Sequence, residues 1–372
     1  MRTGQPERGA AAGDRVTGHP IAIRADPAAV GEIGGRSVVL SYAGVATEYE
    51  ALHRHAVVFD RSHRGRMRLS GATAGEMLTG LVTNDVLSLA SGQGQYAAAL
   101  TPKGKIIADL RIFRDESSLL VDAPPRANES WMSTVRKYVN PRLAAYSDES
   151  ATLRDVGVFG VAARLVVGEM TGVSSSALGV LPAYAHVSVE IEGARVMVAR
   201  VPDLELEGFE LFAPAEIYEV LWERALAAKA TPGGLDTWEI ARVEAGRPEW
   251  GVDIDESTLP QEANFEELHA ISYTKGCYTG QETVARVHFR GHVNKHLRGL
   301  RAASPEPPAP RAELFDATGK SVGDVRSTAP SPRLGGIAIG MVRREIEAGA
   351  SLVARWEGGE ARVDVAHLPF PA

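Results

Sequence analysis

The run Pro305-Glu306-Pro307-Pro308-Ala309-Pro310 constrains the fold more than any other stretch of this chain. Its prolines remove backbone donors and fix φ, so neither a helix nor an interior strand can run through it. It predicts a boundary at 301–310 between a long body and a shorter C-terminal part. Beyond it, 335–342, 351–356 and 361–365 read as short strands, the last two joined by Glu357-Gly358-Gly359-Glu360 as a hairpin. A small β-barrel over 311–372 is the expected architecture there.

The body, 36–300, reads as strands and helices without strict alternation. A strand at 66–69 is followed by a helix at 74–82, with Ser70 as a plausible cap. Strands at 95–100 and 106–113 flank the turn Thr101-Pro102-Lys103-Gly104, and 118–122 follows as a third. In 128–139, Trp131, Val135, Tyr138 and Val139 form a helical stripe expected to pack in the core. Strands at 151–156 and 195–201 precede a helix at 214–229, stopped by Pro232-Gly233-Gly234. The next helix carries a capping-box variant, Asp236 with Glu239, and Gly246 is placed to end it. This mixture predicts an α+β fold rather than a doubly wound parallel sheet. Residues 1–35, rich in Gly, Ala, Arg and Asp, read as a mobile tail.

With 372 residues, 44% hydrophobic and 23% charged, the chain can build two or three cores. The formal net charge of -7 disfavours a general nucleic-acid binder, and no direct nucleic-acid contact is expected. A local basic groove from Arg286, Arg290, Lys295 and Arg298 stays open. No apolar stretch reaches the roughly 20 residues of a membrane helix, so no membrane partner is expected. The N-terminus matches neither a secretory signal nor a transit peptide, and the cytoplasm fits best. A single cysteine, Cys277, excludes an intrachain disulfide and any self-contained zinc or iron-sulfur site built on several thiolates.

That cysteine lies in Lys275-Gly276-Cys277-Tyr278-Thr279-Gly280-Gln281-Glu282. Thr279-x-x-Glu282 reads as a capping box that starts a helix. A lysine two residues away and a helix N-terminus both favour thiolate, so an exposed Cys277 would be reactive or able to bind metal. Spacing alone serves a buried, inert cysteine equally well. His288, His292 and His296 recur every four residues, but Gly291 and Val293 argue against one continuous helix and against a shared metal face. Gly92 and Gly94 lack the third glycine of a dinucleotide fingerprint.

Taken with Arg286, with Arg242-x-Glu244-x-Gly246-x-Pro248 and with Leu259-Pro260-x-Glu262, this segment resembles the signature of the YgfZ family of folate-binding proteins, relatives of the glycine cleavage T-protein. Similarity extends through Val58-Phe59-Asp60-Arg61-Ser62, Gly71 to Val86, Gly94-Gln95-Tyr96 and Gly104 to Arg111, and so covers most of 40–300. T-proteins usually lack the cysteine. The resemblance implies a T-protein-like body that binds tetrahydrofolate or a one-carbon derivative, with Glu210, Arg242, Tyr278, Gln281 and Glu282 as cofactor contacts. By it Glu210 takes the place of a pterin-binding acid, although from its strand alone it reads first as a surface carboxylate. Arg242 takes the place of a folate-contacting arginine, or else pairs with Glu239 or Glu244. Asp203 stands where the T-protein pattern has a tyrosine.

T-proteins carry two adjacent aspartates where this chain has Ala108-Asp109. On that comparison the lost member is the catalytic one, and Asp109 alternatively satisfies local backbone donors. The resemblance therefore implies an accessory protein for iron-sulfur cluster assembly or repair, acting through Cys277 with Lys275, with assembly or client proteins as partners and an indirect effect on tRNA modification. The alternative is a tetrahydrofolate-dependent aminomethyltransferase or demethylase of the T-protein type, with Asp109 handling the proton.

Overall fold

The computed structural model describes residues 27–371. Among the described residues the fold is α+β, carried by two large sheets, a two-stranded sheet and a closed barrel. The first sheet has five antiparallel strands in the order Gly94–Leu100, Ile106–Arg114, Ser118–Ala123, Gly65–Ser70, Ala145–Asp148. The second has six, in the order His186–Ile191, Ala194–Arg200, Gly208–Pro214, Leu153–Phe159, Val57–Asp60, Thr231–Gly233, and only its last pair is parallel.

Strand alternation decides what each face of these sheets meets. On the first sheet, Ala108, Leu110 and Ile112 point to one side and pack with Leu78, Trp131 and Val135 from the helices Ala74–Thr79 and Asn128–Tyr138. On the second, Val156, Val158, Phe209 and Leu211 pack with Val166, Met170, Leu221 and Trp222 from the helices Ala163–Thr171 and Tyr218–Ala227. The opposite faces of both sheets turn toward a shared centre. There Phe59, Phe113, Phe159, Phe212 and Trp238 form the largest apolar cluster, which reaches Leu297, Ile337 and Met341 of the barrel.

The barrel closes in the order Lys295–Ala302, Gly335–Arg343, Ser321–Ser331, Glu313–Phe315, Ser351–Trp356, Gly359–Ala366. Its first strand lies before the proline run, inside the range expected for the body. The prolines connect the first two barrel strands instead of introducing the barrel, and this connection is pinned where Gly336 N donates to Ser304 O at 3.3 Å. Of the expected N-terminal tail, 1–26 lies outside the described residues. Its remainder includes the strand Ala29–Ile33, paired with Arg36–Ser41.

Several local expectations change for tertiary reasons. The helix at Ala74 stops at Thr79, and Ser70 is a strand residue that caps nothing. Tyr138, at the last helical position, is 44% exposed while Trp131, Val135 and Val139 are buried. Pro214 ends a strand, and a short 3-10 turn, Ala215–Ile217, precedes the helix Tyr218–Ala227. The helix Leu235–Glu244 is capped from a distance rather than by Asp236: Glu48 Oε2 accepts from Gly234 N at 2.9 Å and from Thr237 Oγ1 at 2.8 Å. The same carboxylate's Oε1 accepts from Tyr42 N at 2.7 Å. It thereby ties the helix Val45–Arg54 to the helix that builds the site.

Candidate active site: a cavity beside a buried ion-pair network

The inward faces of the two sheets carry charge where a core would ordinarily be apolar. From the first sheet and the loop leading into it come Arg64, Arg66, Arg111 and Asp122; from the second come Asp155 and Glu210, all buried. Arg64 Nε donates to Asp122 Oδ1 at 2.5 Å, and Arg111 Nε donates to the same oxygen at 3.0 Å. Across the gap, Arg111 Nη2 lies 2.7 Å from Glu210 Oε2 and Arg111 Nη1 lies 3.2 Å from Asp203 Oδ2. Burial opposes ionisation of Asp122, yet Arg111 and Arg64 outweigh it and hold the carboxyl below its usual range. Burial and the neighbouring Glu210 push Asp155 well above that range. The sheets are therefore joined by matched charges whose desolvation is offset only while every partner stays in place.

Next to this network lies a cavity of about 730 Å³, a volume suited to a small organic ligand. Leu40, Leu235, Trp238 and Ile240 give it apolar walls, while Arg61, His63, Arg64, Arg126, Glu239 and Glu249 supply polar ones; Asp324 to Pro330 of the barrel closes one side. Arg61 stacks on Trp238 with its guanidinium carbon 3.6 Å from the ring centre. Its Nε is 3.6 Å from Glu210 Oε1. Glu210 itself is fully buried, beneath Arg61 and beside Arg111. It is thus not a surface carboxylate, and it does not line the cavity.

Asp109 lies on the inward face of Ile106–Arg114, opposite to Ala108, which packs among Met67, Leu69 and Leu110 on the helix-facing side. This settles which carboxylate the Ala108-Asp109 pair lacks: the one on the helix side. The inward one is retained, as the two-residue period of the strand requires. Tyr96 OH donates to Asp109 Oδ2 at 2.8 Å, and Oδ1 is buried without a partner. Burial pushes the Asp109 carboxyl up to about 6, against the attraction of Arg64. Arg64 and Glu249, the charged groups that act on it most, are both cavity residues.

Arg242 meets the expectation of an ion pair. It pairs with Glu239 three residues earlier, and its Nη1 donates to Asp253 Oδ2 at 2.8 Å while its Nη2 donates to Ser327 Oγ at 2.6 Å. Burial alone would lower its pKa, but Glu239 and Asp253 hold it above the usual value. It is buried behind the wall that Glu239 and Ser327 present to the cavity.

The cysteine segment forms a separate feature. Cys277 is exposed on a loop ahead of the helix Gln281–Arg290, so the buried alternative is excluded. The expected capping box does not form: Gly280 takes the N-cap in a left-handed conformation, φ 85°, with no side-chain cap. A Cβ there would stand 2.7 Å from Thr101 O, so the close approach to the turn at 101–104 requires glycine. Lys275 turns its ammonium inward, donating to Thr79 O, to Val82 O at 2.7 Å and to Asn84 O at 3.0 Å. Burial lowers its pKa to about 8. Its protons anchor the loop to the last residue of the helix Ala74–Thr79 and to the segment that follows it. Tyr278 is buried and pushed up to about 12 by that burial, whereas Gln281 is half-buried and Glu282 exposed. None of these residues lines the cavity. His288 stacks on Tyr273 at 3.7 Å and pairs with Glu266, while His296 sits on a barrel strand, so the three histidines share no face.

The sequence did not single out His63, Arg64, Arg111, Asp155 or Trp238. Charged residues at every second position of strands that are otherwise apolar, as in Arg64, Arg66 and Arg68 or Asp109 and Arg111, were the available signal.

Residues 22–272 match the GCVT N-terminal domain, and residues 295–371 match the glycine cleavage T-protein C-terminal barrel domain. The chain belongs to the glycine cleavage T-protein family. Among its T-protein relatives, the aminomethyltransferase of Rubrobacter xylanophilus is 30% identical over 341 residues, covering 91% of this chain and 89% of the relative. The aminomethyltransferase of Saccharopolyspora erythraea is 29% identical over 348 residues, covering 91% and 93%. The T-protein fold is also that of the glycine cleavage system aminomethyltransferase T from Bartonella henselae, with a TM-score of 0.83 at 23% identity over 92% of this chain and 94% of that one. The match to the barrel domain begins at Lys295, where the first barrel strand does.

Proposed function

We propose that this chain is a tetrahydrofolate-dependent one-carbon transferase of the aminomethyltransferase type, with the 730 Å³ cavity as its folate site and Asp109 as its proton-handling acid. Tetrahydrofolate is the cofactor of this family, and it supplies the nitrogens that accept the one-carbon unit. The residues present suit such a ligand. Trp238, Leu235 and Ile240 offer apolar surface to a flat ring system, and His63 Nδ1 is a buried polar atom of the same wall without a partner, while Asp109 lies behind that wall, acted on by its Arg64 and Glu249.

The observation that carries the reading is Asp109. Its carboxyl faces inward, is oriented by Tyr96, keeps one oxygen uncommitted and titrates near 6, so it can hold and release a proton close to neutral pH. Burial excludes bulk water from it, and the ion pairs on Arg111 keep the strand that carries it from shifting. The test is formation of methylene-tetrahydrofolate from an aminomethylated carrier or an N-methylated amino acid. Turnover that disappears in Asp109→Asn supports the reading; equal turnover in that variant refutes the role of Asp109, and saturable folate binding with no turnover refutes the transferase.

One observation favours a second reading. The exposed Cys277 lies away from the cavity wall, as a thiol that serves a partner would. On this reading the chain is a folate-binding accessory protein of the YgfZ type that supports iron-sulfur cluster assembly or repair, and through cluster enzymes tRNA modification. One thiolate supplies one ligand, so any cluster would be shared with a partner or a small thiol. Full rescue of cluster-enzyme activity by Cys277→Ala in a deletion strain would remove this reading and leave the first untouched.

A further inference from the structure

We infer that the segment 367–371, which follows the last barrel strand, is a releasable strap that holds the barrel against the helix Leu235–Glu244, and that its release loosens the barrel side of the cavity. The segment leaves the strand Gly359–Ala366 and crosses back to the body. Phe370, 5% exposed, lays its ring so close to the first barrel strand that a Cβ at Gly299 would stand 2.9 Å from it. Its N–H donates to Glu244 O, at the end of the helix, at 2.9 Å. Leu368 packs on Gly246, where a Cβ would come within 2.6 Å of its own. The Glu244 carboxylate gathers the neighbours of this junction: Oε1 accepts from Tyr49 OH at 2.6 Å and from Ser331 Oγ, at the end of the strand Ser321–Ser331. The helix supplies Leu235, Trp238 and Ile240 to the cavity wall, and that strand supplies Thr328, Ala329 and Pro330.

The hold is concentrated in one residue. Pro369 and Pro371, on either side of Phe370, have no N–H to give, so the strap cannot extend into a ladder. Among the described residues, Phe370 N makes its one backbone hydrogen bond to the body, and the rest of its grip is the burial of one ring and of Leu368. The barrel does not need the strap to stay folded. Its ladder is closed, and Leu300, Leu314, Val342, Leu352 and Val363 form a core of its own. A junction between two units that each keep a core can open locally at less cost than unfolding either. The polar ties beside the strap are single hydrogen bonds, from Arg242 to Ser327, from Ser327 N to Asp253 and from Ser331 to Glu244. Ile337 and Met341 keep the barrel on the central cluster, so release loosens the junction without shedding the barrel.

The chain's single cysteine makes the opening measurable. In a Cys277→Ser background, Ala329→Cys places a thiol on the cavity face of the barrel strand, and Val166→Cys places one under the outer helix Ala163–Thr171 as a control; both positions are 1% exposed. The rate of alkylation by iodoacetamide in the full chain then reports how often each site opens. Phe370→Ala is expected to raise the rate at position 329 by about a hundredfold, the scale of losing a buried phenylalanine side chain, and to leave that at 166 within about twofold. Phe370→Leu, which keeps an apolar side chain, is expected to give a smaller rise at 329 alone, and it carries the test if the alanine variant does not fold. An unchanged rate at 329, or an equal rise at 329 and 166, would overturn the strap, because the second result is what a general loss of stability gives. No ligand enters the measurement, so its outcome stands apart from whether the cavity takes folate.

Discussion

Ala108 and Asp109 are neighbours in sequence but point to opposite sides of one strand, and that single alternation changes what the chain can do. A carboxylate at 108 would sit among Leu69, Leu110 and Met67; the one at 109 lies on the inward face, bonded to Tyr96 with one oxygen unpartnered. Its position has a thermodynamic signature. The folded-state pKa of Asp109 is raised from 3.8 to about 6, so its contribution to folding is intact below the unfolded pKa and is lost as pH rises to 6. Two units correspond to about 3 kcal/mol at most. Asp109→Asn should therefore gain stability over wild type between pH 4 and pH 6 and keep that gain at pH 8, measured by urea unfolding, while losing turnover. Lys275 makes the opposite case. Lys275→Met leaves three carbonyls without their donor and should cost about 2 to 4 kcal/mol in the same measurement. The rate of Cys277 alkylation should stay within about twofold of wild type, because the ammonium is committed to those carbonyls.

At the scale of elements, helix ends were the least legible part of the sequence. Both capping boxes, Asp236 with Glu239 and Thr279 with Glu282, have the right residue types, and neither forms. In one case Glu48, nearly 190 residues away in sequence, takes the N-terminus; in the other, close packing on the turn at 101–104 demands Gly280. The helix Leu235–Glu244 is held at its other end by Arg242, which reaches Asp253 and Ser327 and so ties helix, loop and barrel together. Arg242→Met strands the buried Asp253 and should cost about 3 to 5 kcal/mol. Hydrogen exchange should show the loss of protection concentrated in Leu235–Glu244 and Ser321–Ser331. Uniform loss across the first sheet would contradict this.

At the scale of the whole molecule, two sheets press charged faces together, and stability should follow the ionisation of those charges. Arg111 and Arg64 outweigh burial to hold Asp122 below the usual range, and Arg111 and Arg247 do the same for Asp203. Their contribution is present above the unfolded carboxylate range and is lost as pH falls through the depressed folded values. Acid should therefore unfold the chain steeply below pH of about 4, and Asp122→Asn should flatten that limb while lowering stability at pH 7 by about 3 to 5 kcal/mol. Composition, strand and helix periods and the proline run carried the α+β class and the C-terminal barrel, because those depend on local hydrogen bonding and on which residues can be buried. The resemblance of its motifs to a known family pointed toward folate. Which arginine covers Glu210, where Lys275 spends its protons and where the barrel begins depend on residues more than 30 positions apart meeting across the fold, and only tertiary packing brings them within the few ångströms where charge and hydrogen bonding act.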